Sequence, residues 1–215
     1  MRIPIHRDGW RFIALFLAAN ILLFELSPWA ALAFVPLTLW CIAFFRDPAR
    51  ATPTGEGLII SPADGKLLPI SHVVPPPELD MGSEPRLRLS IFMDVFNVHV
   101  NRVPIDGKIM ALKYRKGRFF NASFDKASEH NERMSIRIRA EQREATDDLA
   151  VVQIAGLVAR RIRCDLVPGQ HVSRGERFGI IRFGSRLDVY LPPGTIVLAK
   201  DQRVRAGKTV LAKFQ

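Results

Sequence analysis

Apolar residues are concentrated near the N-terminus, in a segment from Phe12 to Phe45 whose only formal charge is Glu25. Two apolar arms, Phe12–Phe24 and Trp29–Phe45, meet at the sequence ELSP. Proline has no backbone N–H to continue a helix, so Pro28 and its polar neighbours are expected to break the helix there. The pattern therefore predicts a helical hairpin.

The length and the flanks of this hairpin indicate a membrane anchor. The seventeen residues of the second arm would cover about 25 Å as a helix, less than the roughly 30 Å of a bilayer's hydrocarbon core. No small-x-small cleavage pattern precedes FFRDP, which disfavours a cleaved signal peptide. Arginines flank both ends of the hairpin and place both on the cytoplasmic side: Arg7, Arg11, Arg46 and Arg50.

We therefore expect residues 1–50 to attach the chain to the cytoplasmic face of the cell membrane, as a spanning or re-entrant hairpin. The alternative is a buried helical hairpin in the core of a soluble protein. Two cysteines, Cys41 in the hairpin and Cys164 in a strand-like run, lack metal-ligand spacing. We expect them to lie far apart, with no disulfide and no metal site, in a reducing environment.

Residues 51–215 have the pattern of a mainly β domain. Runs of four to eight residues rich in Val and Ile are separated by Gly, Pro or Asp at intervals of roughly ten residues. The run MSIRIRA alternates apolar and basic residues, as a half-buried strand does. No helical pattern of 10–15 residues separates the runs, which disfavours a parallel sheet. We predict an antiparallel sandwich or barrel, with lipoyl-like hairpins at the related turns VSRG and VRAG.

The charge balance is strongly basic, with a formal net charge of +10 in 215 residues. Beyond residue 50, 26 Lys or Arg stand against 18 Asp or Glu, a net charge of +8. Many of these cations cluster in KYRKGR (residues 113–118) and ARRIR (residues 159–163). Beside a membrane anchor, such clusters indicate attraction to an anionic membrane surface. No recognisable motif supports nucleic acid as the partner.

Three side chains could supply the parts of a proton-transfer site. Ser185 follows Gly184 between two β-like runs, ERFGIIRF and RLDVYL, where a hairpin turn is expected. His99 lies in an alternating strand, and Asp64 lies in SPADGK after a buried strand. A histidine can take the proton of a hydroxyl, and a carboxylate can hold the imidazole in the required tautomer. Each residue alone also fits a structural position, as a turn serine, a core histidine or a turn aspartate.

Five motifs follow one another along the chain, the first at the end of the hydrophobic anchor: FFRDPAR, SPADGK, FNVHVNRVP, NER and FGSRLDVYLP. Together they resemble the phosphatidylserine decarboxylase proenzymes, in particular their short-chain form, over most of the chain. The most specific element is the Gly184-Ser185 pair, where that family cuts itself. Some members carry Leu-Gly-Ser-Thr, whereas Phe183 and Arg186 flank the pair here. A common form of the family has a second histidine near the position of Arg102.

The resemblance implies a self-cleaving proenzyme. The Ser185 hydroxyl would attack the Gly184 carbonyl and convert the peptide bond to an ester, and β-elimination followed by hydrolysis would leave a pyruvoyl group. The resemblance makes His99 the base and Asp64 its orienting partner. The products are a β chain of residues 1–184 and an α chain of residues 185–215, expected to stay together as a heterodimer. A further dimer is expected from general frequency.

The resemblance also implies the reaction. The pyruvoyl group would form a Schiff base with the serine amine of phosphatidylserine and accept the electrons released with carbon dioxide. The product would be phosphatidylethanolamine, made for phospholipid biosynthesis without a metal. Two alternatives remain open. The substrate could be another serine phospholipid, such as an archaeal ether lipid, or the chain could be a membrane-anchored, lipoyl-like binding module that performs no chemistry.

Overall fold

The computed structural model describes residues 4–120, 130–141, 147–156, 161–182, 184–199 and 202–215. The chain divides into two compact units, Met1–Ala49 and Arg50–Gln215. Phe183 and Arg160, which belong to the motifs and clusters above, lie outside the described residues.

The first unit contains the predicted helical hairpin. Helix α1 spans Gly9–Leu26, and helix α2 spans Pro28–Phe44. Ser27 between them is extended, with φ −165° and ψ 121°. Pro28 stands at the first position of α2, where its missing N–H needs no partner in the helix. The break predicted at ELSP is confirmed.

A polar contact joins the two apolar helices. The side-chain amide of Asn20 in α1 donates a hydrogen bond of 2.9 Å to the hydroxyl of Thr38 in α2. By length and composition α1 is able to cross a membrane, whereas α2 is shorter and contains Pro36. Attachment of this hairpin to a membrane stays a prediction.

The second unit is built from short strands and a short 3-10 helix, Pro77–Leu79. In chain order the strands are β1 Leu58–Ile60, β2 Gly65–Leu67, β3 Ser71–Val73, β4 Arg86–Met93, β5 Val100–Arg102, β6 Gly107–Arg115, β7 Arg133–Ala140, β8 Leu149–Ala155, β9 Ile162–Cys164, β10 His171–Val172, β11 Arg177–Ile181, β12 Ser185–Tyr190, β13 Ile196–Val197, β14 Arg203–Val204 and β15 Val210–Lys213.

These strands form three sheets. The largest has the order β10-β6-β7-β8-β12-β4-β2-β14, with β3 also paired to β4. The two smaller sheets have the orders β1-β15-β13 and β5-β11-β9. Every ladder between these strands is antiparallel, and the described strands do not close into a barrel. The prediction of a mainly β, antiparallel unit after a helical hairpin is confirmed.

One face of the largest sheet forms the main apolar core. Leu89 of β4, Val151 of β8 and Leu187 of β12 are fully buried on this face. Residues of the two smaller sheets, such as Phe178 and Leu211, belong to the same core. Side chains alternate between the two faces of a strand, so the residues between these apolar positions reach the opposite face.

That opposite face carries charged groups that are paired. Arg133 of β7 donates hydrogen bonds of 2.7 and 2.8 Å to the two carboxylate oxygens of Glu78. Ser135 also donates to Glu78, at 2.8 Å. Burial alone would raise the pKa of Glu78, but the hydrogen bonds from Arg133 and Ser135 outweigh it and lower the pKa overall. Leu79, the next residue, packs in a second apolar cluster with Val152 of β8.

The turns VSRG and VRAG connect different sheets. The turn at Gly175 leads from β10 in the largest sheet to β11 in a smaller one, and the turn at Gly207 leads from β14 to β15. Both glycines have a positive φ, 84° and 72° respectively. These turns pass the chain between layers, and the strands beside them pair with other strands instead of with each other.

A buried ion pair at the start of β8 gives a stability prediction. Asp148 is fully buried and accepts hydrogen bonds from Arg137 and Arg139, at 2.5 and 2.9 Å. Asp148→Asn removes the charge that both guanidinium groups face. It should lower the free energy of unfolding by about 3 kcal/mol, measured by urea denaturation.

Asp165→Asn is the matched control. The side chains of Arg163 and Asp165 are 37% and 40% exposed, and an exposed ion pair contributes about 1 kcal/mol or less. Equal losses in the two variants would contradict the structural role of Asp148.

Candidate active site

Gly184 and Ser185 lie where the chain passes from one sheet to another. Strand β11, which ends at Ile181, pairs with β5 and β9. Strand β12, which begins at Ser185, pairs with β4 and β8. The hairpin predicted around this pair is therefore wrong, because the two flanking strands belong to different sheets. The bond between Gly184 and Ser185 lies in a short connection between the layers.

Gly184 has a backbone conformation that favours glycine. Its φ is +56°, in the left-handed region that side chains with a Cβ adopt at a cost. Apart from its chain neighbours, no atom of the described residues lies within 4 Å of a Cβ added at this position. The backbone conformation, and not a lack of space for a side chain, therefore explains why a glycine occupies position 184.

Ser185 is fully buried at the first position of β12. The sheet register places it between Met93 of β4 and Ala155 of β8. Among the residues that the structure describes, its hydroxyl has no hydrogen-bond partner. A buried hydroxyl left unpaired costs about 1–3 kcal/mol and calls for an explanation. A chemical role would explain it, since no donor or acceptor among the described residues competes with a reaction of this oxygen.

His99 is fully buried just before β5. Because Val100 pairs with Ile180, the register places His99 beside Ile181, four residues before Ser185. The His99 Nδ1 atom lies 3.1 Å from the carbonyl oxygen of Asn97. A carbonyl oxygen can only accept, so Nδ1 carries the proton and Nε2 is the basic nitrogen of the neutral ring.

Two amide side chains connect the strand of His99 to the strands beside Ser185. Gln153 of β8 donates a hydrogen bond of 2.8 Å to the side-chain oxygen of Asn101, which lies in β5. The Asn101 side chain also contacts the sulfur of Met93, at 3.7 Å. Both amide residues are fully buried. Sequence analysis missed them, although a glutamine within the apolar run LAVVQIAG was a detectable signal.

Asp64 lies at the same edge of the largest sheet, but its contacts are with other groups. Its carboxylate accepts hydrogen bonds from both terminal nitrogens of Arg50, one of them 2.8 Å long, and from the amide of Ala206 at 2.8 Å. The contact that orients the His99 ring is instead the carbonyl of Asn97. Neither contact joins Asp64 directly to His99, and a catalytic role for Asp64 stays a prediction. The sequence did not indicate that the partner of Asp64 is Arg50.

Asn131, in the motif NER, fixes the chain on the other side of Ser185. Its side-chain nitrogen donates to the carbonyl oxygens of Phe120 and Ala155, at 2.8 and 2.7 Å. Its side-chain oxygen accepts from the amide of Phe120 at 2.9 Å. Ala155 is the register neighbour of Ser185. Asn131 therefore positions the end of β8 beside the candidate nucleophile.

The residues that follow Ser185 form a charged cluster on the opposite face of the sheet. Arg186 and Asp188 are fully buried and form an ion pair of 2.8 Å. Burial raises the pKa of Tyr190 to about 12, with a further increase from Asp188, while Arg88 opposes the shift. Arg186, which replaces the threonine of the longer family motif, is thus a buried structural charge.

Arg102 also has a structural position. Its guanidinium donates a hydrogen bond of 2.9 Å to the carbonyl oxygen of Gly175. A Cβ on Gly207 would lie 2.8 Å from the Arg102 Cδ atom, so the arginine stem packs directly on that glycine. Arg102 therefore connects the two turns that pass between the sheets.

Comparison with known proteins agrees with the motifs at this site. The family model described as phosphatidylserine decarboxylase matches residues 37–212. The chain is 56% identical over 213 residues to a phosphatidylserine decarboxylase proenzyme of Paramagnetospirillum magneticum, covering 97% of this chain and 86% of that protein. It is 55% identical over 213 residues to a proenzyme of the same name from Cereibacter sphaeroides, with 97% and 89% covered. With a match over most of its length, the chain belongs to the phosphatidylserine decarboxylase family.

Proposed function

We propose that the chain is a self-cleaving, pyruvoyl-dependent phosphatidylserine decarboxylase that cuts itself between Gly184 and Ser185. The observation that carries this proposal is the buried hydroxyl of Ser185, which has no hydrogen-bond partner among the described residues and directly follows a left-handed glycine. Relatives more than half identical are named as proenzymes of this decarboxylase, which supports both the cut and the substrate.

The cleavage begins with the Ser185 hydroxyl. Its oxygen bonds to the carbonyl carbon of Gly184, the bond from that carbon to the Ser185 nitrogen breaks, and the nitrogen takes up a proton. We assign the hydroxyl proton to His99 Nε2, because a ring proton held on Nδ1 by the Asn97 carbonyl leaves Nε2 as the basic nitrogen. No side chain on Gly184 shields its carbonyl carbon from attack.

The resulting ester then breaks by β-elimination. Loss of the Ser185 Cα proton and cleavage of its Cβ–O bond release the Gly184 carboxylate and leave a dehydroalanine. Rearrangement and addition of water replace its nitrogen by a ketone oxygen and release ammonia. Residue 185 thereby becomes the pyruvoyl end of an α chain of residues 185–215, and residues 1–184 remain as the β chain.

The buried position of Ser185 fits such a group. The pyruvoyl carbonyl supplies an electron-withdrawing acceptor for the substrate amine and for the electrons left when carbon dioxide departs. The described neighbours Met93 and Ala155 would hold it between two strands, and residue 185 is fully buried in the uncut chain. His99, which the register places beside Ile181, can hold a proton at Nε2.

The substrate is proposed to be phosphatidylserine, with phosphatidylethanolamine as the product for phospholipid synthesis. A serine phospholipid with ether-linked chains would present the same headgroup chemistry. The proposed place of the reaction is the cytoplasmic face of the cell membrane, which the apolar hairpin and its flanking arginines support.

The intact mass of the purified protein under denaturing conditions tests the cleavage. We expect fragments of residues 1–184 and 185–215, with no free α-amine on the smaller one, and a single uncut chain for Ser185→Ala. A smaller fragment that yields an N-terminal serine on sequencing would indicate ordinary proteolysis. A wild-type chain that stays uncut would instead favour a binding module without chemistry.

The conformation of Gly184 gives a second prediction. Alanine in the left-handed region costs about 1–2 kcal/mol, and leaving that region would change the geometry of the bond that is cut. Gly184→Ala should therefore slow self-cleavage at least about tenfold, measured as precursor remaining over time. Gly169→Ala is the matched control, because Gly169 also has a positive φ (86°) and open space around it. Equal slowing in both variants would indicate a general folding defect.

A third prediction concerns the base. His99→Ala should accumulate uncut precursor, because it removes the proposed proton acceptor. Asp64→Asn should do so at least partly, because it weakens the contacts of Asp64 with Arg50 and with the Ala206 amide at the sheet edge that carries Ser185. His72→Ala, at an exposed histidine of β3, should be processed normally. Normal processing of both His99→Ala and Asp64→Asn would show that another group takes the proton.

A further inference from the structure

We infer that the edge of the largest sheet that carries Ser185 docks on an anionic lipid surface, with Phe96 inserted into the lipid. This edge is called the docking edge below. The inference rests on the proposed function, because an enzyme acting on a bilayer lipid must bring its reacting group to the headgroup layer.

The sheet register defines the docking edge. Ser185 of β12 pairs with Met93 of β4. Lys66 of β2 pairs with Phe92, so Gly65 lies beside Met93. On the other side of β2, Gly65 pairs with Val204 of β14. Neighbouring strands lie about 4.8 Å apart, so Gly65 is about 10 Å from Ser185 along this row. The segments that precede β2 and β12, and the loops that follow β4 and β14, therefore lie on the side of Ser185.

The loop after β4 presents the most exposed aromatic side chain described in the second unit. Phe96 is 71% exposed. The loop is built by hydrogen bonds from the amide of Phe96 to the Asp94 carboxylate, at 2.8 Å, and from the amide of Asp94 to the Asn97 side chain, at 2.9 Å. The same loop supplies the Asn97 carbonyl that orients His99. An exposed aromatic group on a fixed loop is suited to insertion into an interface.

Cations surround this loop. Lys66, Arg203 and Arg205 are exposed and line a cavity of about 430 Å³ together with Phe96. Among the described residues, these three cations form no ion pair. Of the two acids in the cavity wall, Asp64 pairs with Arg50, and the exposed Asp94 accepts a hydrogen bond from the Phe96 amide. The three cations therefore still outnumber the one acid of the wall that has no cationic partner among the described residues.

The other flank of Ser185 repeats this combination. Arg115 is the last residue of β6. Across the sheet it pairs with Arg133, Arg133 pairs with Ile154, and Ile154 pairs with Arg186, the residue after Ser185. Beyond it, Lys116 and Arg118 are exposed, and Phe120 is 42% exposed. Asn131 ties Phe120 to Ala155, the neighbour of Ser185. Exposed cations and an aromatic ring thus lie on both sides of the reacting position.

The connections at the opposite edge of the sheet also carry acids. Four of them lie among the described residues there, namely Glu84, Asp106, Glu141 and Asp147, and Asp106 pairs with Arg174 at 3.6 Å. Anionic lipid attracts cations and repels such acids, so the docking edge is the better match for it. Nucleic acid is a poorer fit, because no recognisable nucleic-acid-binding motif occurs in the sequence.

The start of the second unit agrees with this orientation. The second unit begins at Arg50, whose side chain binds Asp64 in the wall of the Phe96 cavity. The first residue of the second unit therefore lies at the docking edge.

A depth measurement on the full chain in vesicles tests the insertion of Phe96. Phe96→Cys is labelled with a polarity-sensitive fluorophore and mixed into vesicles that contain anionic lipid and a brominated quencher lipid. Burial raises the pKa of Cys164 to about 11, so this thiol stays protonated at neutral pH, and Cys41 is buried. Val167→Cys is the matched control, because Val167 is also exposed, at 59%. In its loop, Gly169 and Gln170 form backbone hydrogen bonds with Ile109, which lies near the start of β6 at the opposite edge of the sheet.

We expect the label at position 96 to be quenched in anionic vesicles and the label at position 167 to remain unquenched. Equal quenching at the two positions, or stronger quenching at 167, would overturn the inference. This measurement does not depend on self-cleavage or turnover, so it decides the docking even if the proposed function is wrong.

A kinetic measurement tests the cations. Lys66→Gln/Arg205→Gln is compared with Lys108→Gln/Lys213→Gln, which removes two exposed cations outside the docking edge. The measured quantity is the ratio of turnover on anionic vesicles to turnover on dispersed short-chain phosphatidylserine. Each cation near an anionic surface is worth about a fivefold factor, so the first variant should lower the ratio about 5- to 30-fold. The second variant should leave the ratio near the wild-type value.

An unchanged ratio in the first variant would overturn the role of these cations. Raised salt should lower the wild-type ratio as well, because ions screen the attraction of exposed charges. Absence of turnover on both substrates by the wild-type protein would refute the proposed function instead, and the fluorescence measurement would still decide the docking.

Discussion

The position of Ser185 depends on the pairing of β12 with neighbours on both sides. Each residue from Ser185 to Tyr190 has a register partner in β4 and another in β8. A strand bonded on both edges has little freedom to shift, because a slip by one residue would move every side chain to the other face. Leu187 and Val189 would leave the core and Arg186 would enter it. The pairing therefore fixes the hydroxyl of the first residue at a buried point of the sheet edge.

The same pairing explains how a cut chain could remain one protein. In the segment from residue 185 onward, β12 pairs with β4 and β8, β14 pairs with β2, and β15 pairs with β1. All of these partners lie before residue 184. Breaking the bond at Gly184 would thus remove no strand pairing, since the bond lies in a connection between sheets. A cut within a hairpin turn would have left the two new ends on adjacent, paired strands.

Local sequence signals predicted the parts of the structure that depend on local physics. Pro28 marks the break between the helices, and the alternation of MSIRIRA marks β7, because proline chemistry and side-chain periodicity act within a few residues. The partner of each strand depends on residues far along the chain, which explains why the hairpin at Gly184 was predicted wrongly. The Arg50–Asp64 contact was missed for the same reason.

The polar residues around Ser185 were partly detectable. Gln153 interrupts an apolar run and could have been singled out as a buried polar group in need of a partner. Its partner Asn101 lies in a different sheet, 52 residues away, and no local pattern indicates it. The composition likewise showed an excess of cations, but it did not show where in the fold these cations lie. The register alone brings Lys66, Arg203 and the end of β6 to the edge of Ser185.

The charge of that edge follows from the pairing of acids elsewhere in the unit. Glu78 binds Arg133, Asp188 binds Arg186, and Asp148 binds Arg137 and Arg139. Buried charges need such partners, because an unpaired charge away from water costs several kcal/mol, about 3–5 when a partner is removed. Acids that neutralise buried arginines are not available to neutralise exposed ones. With a net charge of +8 beyond residue 50, the remaining excess of cations must lie on the surface, and the strand register places part of it beside Ser185.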